Sequence, residues 1–400
     1  MIDADPDKFK LGVNYWPADA AMGWLRAYDP AVTRRDFRRA ASAGFDNIRV
    51  FLRWEDAQPT ASTIDAATLG LLVDAADAAV EAGVTLVVTL FVGHMSGVNW
   101  IPDWATGGTD GDRRFRVVSK GRARSAAGIR NWYTDPAIVA AQERLAAAAA
   151  TALAGHPGVW AWDLGNENSN CTIPPDRTAG EAWLERISNA IRKRDPGRPL
   201  TIGIHMEDLE EDRRIGPAEA ARWCDVVSMH GYPIYASWSA GPTDHELLPF
   251  LAEVTRWLAS GSPILFEEFG LPTSRAAVPE GSLLVSESAA AGYTRRALDG
   301  LREAGCTGAL LWCFSDYVSE FAASPPFDSA RHELCFGLWR ADGTPKPALA
   351  YVAERASSPR VPPPSPDGWL DIDRSTFEDD RRFHLARLYR RYLSRPAAGL

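Results

Sequence analysis

The sequence contains few of the features that mark secreted, membrane-bound or metal-binding proteins. Its five cysteines form an odd set without CxxC spacing, so we expect reduced thiols and no metal site. The segment MIDADPDKFK has no basic part followed by an apolar part, which argues against a secretory signal. The longest apolar runs, such as VTLVVTLFVG, are far too short to span a bilayer. We therefore expect a cytoplasmic protein without a membrane partner.

Runs of basic residues are also absent. The 43 Lys and Arg residues against 52 Asp and Glu give a net charge of −9 that is spread along the chain, which argues against nucleic acid as a partner. Tryptophan, in contrast, is abundant, with fifteen residues against seven histidines. Two interpretations of these indoles stay open: they fill the core, or several of them form flat apolar platforms on which sugar rings stack.

Short β-like runs alternate with alanine-rich helical patterns along most of the chain, an order that is typical of a parallel sheet. The candidate strands lie at 11–16, 47–52, 84–91, 159–165, 199–204, 225–230, 263–269 and 308–314. The candidate helices lie at 31–43, 65–82, 136–154, 178–194, 217–223, 244–260, 285–304 and 346–355.

The connections between these elements differ at the two ends of the strands. Turns from helix to strand are short and contain Gly or Pro, whereas the loops 92–135, 231–243 and 315–345, which leave strands, are long. This asymmetry predicts a (β/α)8 TIM barrel with long third and eighth βα loops, in which chemistry is located at the C-terminal ends of the strands.

The alternation of strands and helices ends near residue 357. SSPRVPPPSPDG indicates a stiff, proline-rich linker, and residues 374–394 indicate a charged helix. Four apolar side chains would allow this helix to pack on the barrel: Phe383, Leu385, Leu388 and Leu393. We interpret residues 1–357 as the catalytic barrel and residues 358–400 as a linker and C-terminal helical extension, either packed on the barrel or mobile.

Carboxylates follow or end two of the candidate strands. Glu167 follows the fourth strand in GVWAWDLGNEN, and Glu267 and Glu268 end the seventh in SPILFEEFG. A barrel brings strands four and seven to opposite sides of its mouth. Two carboxylates about 5 Å apart across a pocket carry out retaining glycoside hydrolysis, in which one attacks the anomeric carbon and the other serves as acid and then as base.

Several motifs resemble those of clan A glycoside hydrolases, and of family 5 within them, over roughly residues 10–355. NIRVFLRW is similar to the second-strand motif, GNEN to the fourth-strand Asn-Glu pair, SMHGYP to the sixth-strand His-x-Tyr, FEEFG to the nucleophile strand and LLWCF to the eighth-strand Trp. The resemblance implies that Glu167 is the acid/base and Glu268 the nucleophile. It also implies a substrate-binding shell of Arg49, His94, Asn166, His230, Tyr232 and Trp312, and we expect no cofactor.

Physical arguments lead to expectations for individual site residues. A nucleophile must stay ionised, so Arg49 and Tyr232 should lower the pKa of Glu268. The neighbouring carboxylate should raise the pKa of Glu167. An alternative for Arg49 is a structural ion pair with Asp163, and His94 has a structural alternative as well.

Glu267 and Glu268 compete for the role of nucleophile. Neighbouring side chains on a strand point to opposite faces, so only one of the two should face the barrel mouth. The family resemblance places the nucleophile directly before the aromatic-Gly pair, which selects Glu268 and leaves Glu267 as a supporting residue behind it.

The long loops bear on the sugar that is cleaved. The third loop carries Trp100, Trp104, Trp132 and Tyr133, and such loops can wall off a cleft and leave a pocket for one terminal sugar, with Trp132 in contact with the substrate. Surface packing or dimerisation would explain the loops equally well. LGVNYWPA, FEEFG and GLWRADGTPKPAL most resemble mannoside-active members of the family.

These observations predict a retaining exo-β-mannosidase that acts on short oligosaccharides, including Man-β-1,4-GlcNAc. The alternatives are a β-glucosidase or another exo-β-glycosidase, an endo-β-1,4-mannanase and, from another class, a carbohydrate-binding barrel without catalysis.

Overall fold

The computed structural model describes residues 7–108, 114–123, 128–278, 280–366 and 368–395. Parts of the predicted N-terminal, third-loop and C-terminal segments lie outside the described residues. The residues concerned are 1–6, 109–113, 124–127, 279, 367 and 396–400.

Eight parallel strands form the centre of the molecule. They are β1 (Lys10–Asn14), β2 (Asn47–Arg53), β3 (Thr85–Val92), β4 (Val159–Asn166), β5 (Leu200–Gly203), β6 (Val227–His230), β7 (Ile264–Phe269) and β8 (Gly308–Leu311). Their order in the sheet is β5-β4-β3-β2-β1-β8-β7-β6. A bridge between His205 and His230 joins the two ends, and the His230 N–H donates to the Ile204 carbonyl at 2.8 Å. The prediction of a (β/α)8 barrel is confirmed.

Eight helices cover the outside of the barrel. They are α1 (Pro30–Ser42), α2 (Ala66–Ala82), α3 (Pro136–Ala152), α4 (Arg177–Arg192), α5 (Pro217–Trp223), α6 (Leu247–Leu258), α7 (Glu287–Glu303) and α8 (Ala348–Arg355). The side chains of four aspartates cap the N-termini of the first four: Asp29, Asp65, Asp135 and Asp176. Every residue of β2, β4, β7 and β8 is buried, as expected for parallel strands that have both faces covered.

The third and eighth βα loops meet over the C-terminal ends of the strands. The third loop contains the short strands His94–Met95, Val98–Trp100, Arg116–Ser119 and Arg122–Ala123, which form a small sheet. The Arg116 guanidinium pairs with both carboxylate oxygens of Asp328 in the eighth loop, and the Nη1–Oδ2 distance is 2.8 Å. This two-point ion pair connects the two loops directly.

The C-terminal segment contains two helices, α9 (Arg374–Asp379) and α10 (Arg381–Leu393), where the sequence predicted one, because Asp380 interrupts the helix and caps α10. Helix α10 packs against α6 and against the one-turn helix Glu207–Glu210 after β5.

Two of the four apolar side chains that were predicted to pack α10 on the barrel are buried. Leu385 and Leu388 are buried, but Phe383 is 54% and Leu393 44% exposed, so their predicted packing is wrong. Arg381 donates to the carbonyl oxygens of Asp208 at 2.9 Å and Glu211 at 3.0 Å. Our division of the chain at residue 357 stays an interpretation.

Candidate active site

A pocket of about 370 Å³ opens at the C-terminal ends of the strands. Its volume lies within the range that is typical of small-molecule sites. Seven of the nine residues predicted from the sequence line it: His94, Asn166, Glu167, His230, Tyr232, Glu268 and Trp312. Arg49 is fully buried and contacts the pocket carboxylate Glu268 from below.

Trp132 is the predicted site residue that does not reach the pocket. Its side chain is fully buried and packs beside Gly93. The centroid of its ring lies 4.7 Å from that of the Trp54 ring. Trp104 contacts the same ring of Trp54 at 5.1 Å. The proposed sugar contact of Trp132 is therefore corrected to a core contact: the third loop folds these indoles inward, because burying their large apolar surface stabilises the loop.

Irregular backbone directs Glu167 into the pocket. Glu167 follows β4 in the left-handed conformation, with φ of 48°, and the pairing of β4 with β5 shifts register between Asp163 and Asn166. A left-handed backbone is strained for a residue other than Gly, and such strain is found preferentially at functional sites.

The two predicted catalytic carboxylates lie across the pocket from each other. One carboxylate oxygen of Glu167, one of Glu268 and a ring nitrogen of His230 are all within 4.8 Å of one another. His230 Nδ1 is 3.0 Å from Glu167 Oε1, and the Tyr232 hydroxyl donates to Glu268 Oε2 at 2.9 Å.

Both interpretations of Arg49 are present at once. Its guanidinium lies 2.6 Å from Asp163 Oδ2, 2.5 Å from Glu268 Oε1 and 3.3 Å from Glu267 Oε1. It also donates to Asn166 Oδ1 at 2.9 Å. One cation thus serves three carboxyl groups, all of which are nearly or completely buried.

The expectation that Glu267 and Glu268 point to opposite faces is wrong, since both carboxylates contact Arg49. The register explains this: Met229 pairs with Phe266 and His230 with Glu268, so Glu267 is an extra residue in β7. Such a bulge interrupts the strict alternation of side chains. Glu268 lines the pocket, whereas Glu267 is completely buried beneath it.

The pKa of Glu268 is raised, which is opposite to the sequence-based expectation. Burial raises it, and the Glu167 charge adds to the rise, while His230, Arg49 and Tyr232 oppose it. The expectation fails because Arg49 is shared with Asp163 and Glu267 and cannot compensate for the burial of all three groups.

The pKa of Glu167 is lowered, again opposite to expectation. Burial raises it, but the charge of His205, the hydrogen bond from His230 and the nearby His94 together outweigh burial. Burial lowers the pKa of His230, and its carboxylate neighbours raise the value to about 9. These shifts favour an ionised Glu167 beside a protonated His230, whose Nδ1 lies 3.0 Å from Glu167 Oε1.

His94 and Asn166 occupy fixed positions beside this pair. His94 Nε2 lies 3.8 Å from Glu167 Oε2, and His94 Nδ1 lies 2.7 Å from Asn99 Oδ1. The Asn166 amide nitrogen donates to the His94 carbonyl at 3.0 Å, which leaves a second N–H for a ligand.

The model of the cellulase family, glycosyl hydrolase family 5, matches residues 11–317. The chain belongs to glycoside hydrolase family 5. A family 5 protein of Streptomyces cattleya, solved in complex with GlcNAc, is 23% identical, with a TM-score of 0.78 over 94% of this chain and 87% of its own. At that identity the similarity bears on the fold.

Two further relatives of this family 5 hydrolase have names that specify a sugar. The exo-β-1,4-mannosidase Op5Man5 of Opitutaceae bacterium strain TAV5 is 28% identical, with a TM-score of 0.72 over 89% of this chain and 62% of its own. A rice protein (Oryza sativa subsp. japonica) assigned by name as a mannan endo-1,4-β-mannosidase is 26% identical over 208 residues, and the match spans 41% of its length.

Among the described residues of this hydrolase, no helix combines the length and the apolar character of a membrane span.

Among the residues of the hydrolase's pocket that were missed from the sequence, four bear on its chemistry: His205, Glu207, Tyr235 and Glu333. His205 follows β5 in GIHMED, and its position at the C-terminal end of a strand was a signal that could have found it. The other three lie within or next to loops and turns, where no periodicity indicates which side chains point inward.

His205 should make the stability of the hydrolase depend on pH. Burial lowers its pKa, but the Asp208 and Glu167 carboxylates raise it to about 10. Because the folded state keeps a proton that the unfolded chain loses near pH 6.5, this stabilisation is complete below about pH 6.5 and is lost as the pH rises to about 10.

We expect His205→Gln to reduce the fall in unfolding free energy between about pH 7 and about pH 10 by on the order of 2–4 kcal/mol. His230 titrates in the same direction, so part of the fall should remain. Denaturant unfolding at the two pH values measures the change in unfolding free energy. The matched control is His156→Gln, because His156 also lies beside a carboxylate, that of Asp77. An unchanged fall in the His205 variant would contradict the assignment.

Proposed function

We propose that this family 5 hydrolase is a retaining exo-β-mannosidase that removes terminal β-mannosyl residues from short oligosaccharides, including Man-β-1,4-GlcNAc. The observation that carries the proposal is the carboxylate pair, with oxygens within 4.8 Å in a pocket. This separation suits direct attack by one carboxylate, because inverting enzymes need a gap of about 6.5–9.5 Å to hold a water between the two groups.

In the first step, Glu268 attacks the anomeric carbon and the glycosidic bond breaks. Arg49 and the Tyr232 hydroxyl, at 2.5 and 2.9 Å, orient the attacking carboxylate. When the substrate excludes water, His230 passes its Nδ1 proton to Glu167 across their 3.0 Å hydrogen bond, and Glu167 gives that proton to the leaving oxygen.

In the second step, Glu167 deprotonates a water molecule, which attacks the anomeric carbon and releases Glu268. Two inversions return the β-configuration. Asn166 lines the pocket and is held by its bonds to Arg49 and His94, and its second N–H suits a sugar hydroxyl whose contact strengthens in the transition state.

The connected loops support exo action. The ion pair between Arg116 and Asp328 joins the third and eighth loops, and both loops contribute to the pocket wall. A cleft that is bridged in this way accommodates a chain end more readily than the middle of a polymer.

The names of the relatives support a mannoside as the substrate. A second Streptomyces cattleya structure, 24% identical, is a complex with Man-β-1,4-GlcNAc, and Op5Man5 is an exo-β-1,4-mannosidase. The rice relative favours endo-mannanase as the second candidate. The five free cysteines support our prediction of a reducing, cytoplasmic location.

A panel of aryl β-glycosides tests the sugar. We expect the β-mannoside to be cleaved at least about a hundred times more efficiently, in kcat/KM, than the β-glucoside, because a pocket that binds the axial C2 hydroxyl leaves polar groups unpaired with glucose. Comparable rates would contradict the mannoside assignment, and no cleavage of any member would favour a binding protein.

Mannotriose and mannan test exo action. Mannotriose should release mannose and mannobiose first, and mannan should lose almost no viscosity. Rapid thinning of mannan would favour endo-mannanase and would leave the retaining pair in place.

A further inference from the structure

Glu333 is a carboxyl group of the pocket that the proposed mechanism does not use. It lies in the eighth loop, in the turn Arg331–Cys335, and it is only 7% exposed. It lines the same pocket as Glu167 and Glu268. Since the two catalytic roles are already filled, Glu333 calls for a different explanation.

The protein gives Glu333 hydrogen bonding but no positive charge. The Tyr235 hydroxyl donates to its Oε1 at 2.9 Å. His332 Nε2, at 3.6 Å, is the one basic atom within ion-pair distance among the residues that the structure describes. Burial lowers the pKa of His332, so its imidazole is neutral at pH 7. Burying a carboxylate without a cation is costly, and such a group is explained most simply by a ligand that supplies the missing partners.

The surroundings place the ionisation of Glu333 near neutral pH. Burial raises its pKa to about 7, the charges of Glu268 and Glu167 contribute to the rise, and hydrogen bonds from Tyr235 and Ser96 oppose it. The titratable and polar groups that act on it come from the third and eighth loops, from β7 and from the segments that follow β4, β6 and β8: Ser96, Glu167, Tyr232, Tyr235, Glu268, Cys313, Tyr317 and His332.

We propose that Glu333 is a specificity-determining residue, whose ionised carboxylate accepts hydrogen bonds from hydroxyl groups of the terminal sugar. The identity of that sugar rests on the proposed function. Hydroxyl groups are donors, and their bonds to a charged acceptor are about twice as strong as those to a neutral one. A glutamine in the same place keeps the shape and one acceptor oxygen but loses the charge.

The test compares KM for the best aryl glycoside between the intact enzyme and Glu333→Gln over about pH 5.5–8.5. At about pH 8 we expect the variant to have a roughly tenfold higher KM, with kcat within about threefold. At about pH 5.5 the two KM values should converge, because Glu333 of the intact enzyme is then protonated. Glu320→Gln, the same change at an exposed position of the eighth loop, should match the intact enzyme.

A KM ratio that is the same at every pH, or no difference at all, would overturn the proposal, since a merely structural role predicts one of these two results. If Glu333→Gln does not fold, Tyr235→Phe replaces it. Loss of the Tyr235 hydroxyl should raise the pKa of Glu333. The pH below which KM increases should therefore shift to a higher value, and an unchanged pH profile of KM would overturn the proposal.

Calorimetric titration with methyl β-mannoside and methyl β-glucoside separates this proposal from the proposed function, because it requires no turnover. Binding that Glu333→Gln weakens at about pH 8 but not at about pH 5.5 supports Glu333 even if no aryl glycoside is cleaved. If neither glycoside binds the intact protein, the role of Glu333 in sugar binding is overturned.

Discussion

Glu268→Ala should abolish turnover of every glycoside, with a loss on the order of 10⁴-fold or more in kcat, because it removes the carboxylate assigned to attack the anomeric carbon. Azide fits the space that the side chain leaves. It should restore part of the activity on an activated aryl β-glycoside and yield an α-glycosyl azide, since only one inversion then occurs. Product analysis by NMR identifies the azide and its configuration.

Glu267→Ala is the matched control for the position of the nucleophile. It removes a carboxylate that contacts the same guanidinium, Arg49, from a residue that does not line the pocket. It should reduce activity without azide rescue. If Glu267→Ala is the variant that azide rescues, and Glu268→Ala stays active, the assignment is wrong by one residue.

Glu167→Ala should reduce rates in proportion to the need for protonation. Poor leaving groups should lose on the order of 10²–10⁴-fold, the usual contribution of a positioned acid, whereas a dinitrophenyl glycoside should still form the glycosyl-enzyme rapidly. We expect a burst of dinitrophenol, which reports formation of the glycosyl-enzyme. Slow turnover should follow the burst, because the second step lacks its base.

Glu207→Ala gives the comparison for Glu167, since Glu207 is another carboxylate of the pocket wall. Its effect should not depend on the leaving group. Equal losses across all leaving groups in Glu167→Ala itself would contradict the acid/base role.

The barrel could be predicted because its signals are local. Each strand is a short apolar run, each helix has its own period, and the turns between helix and strand carry Gly or Pro. The positions of Glu167 and Glu268 followed from the same pattern, because residues that end parallel strands meet at one edge of the sheet. The interruption of the last helix at Asp380 was missed, because the charged sequence around it has no strong breaker.

The electrostatics of the site could not be predicted in the same way. A sequence shows that Arg49 can pair with Glu268, but it does not show that Asp163 and Glu267 share the same guanidinium. The inward turn of Glu267 depends on one extra residue in β7, and alternation alone gives the opposite result. The charge near Glu167 depends on His205, which only the closed barrel brings to it.

The contact between Arg381 and the backbone after β5 links distant parts of the chain. Arg381 is anchored on the carbonyl of Asp208, and the Asp208 carboxylate holds the His205 imidazole at 2.8 Å. Any coupling through Asp208 between a ligand beside His205 and the packing of α10 would be reciprocal, because coupling free energies act equally in both directions. Proteolytic removal of α10, compared with and without a sugar in the pocket, measures that coupling.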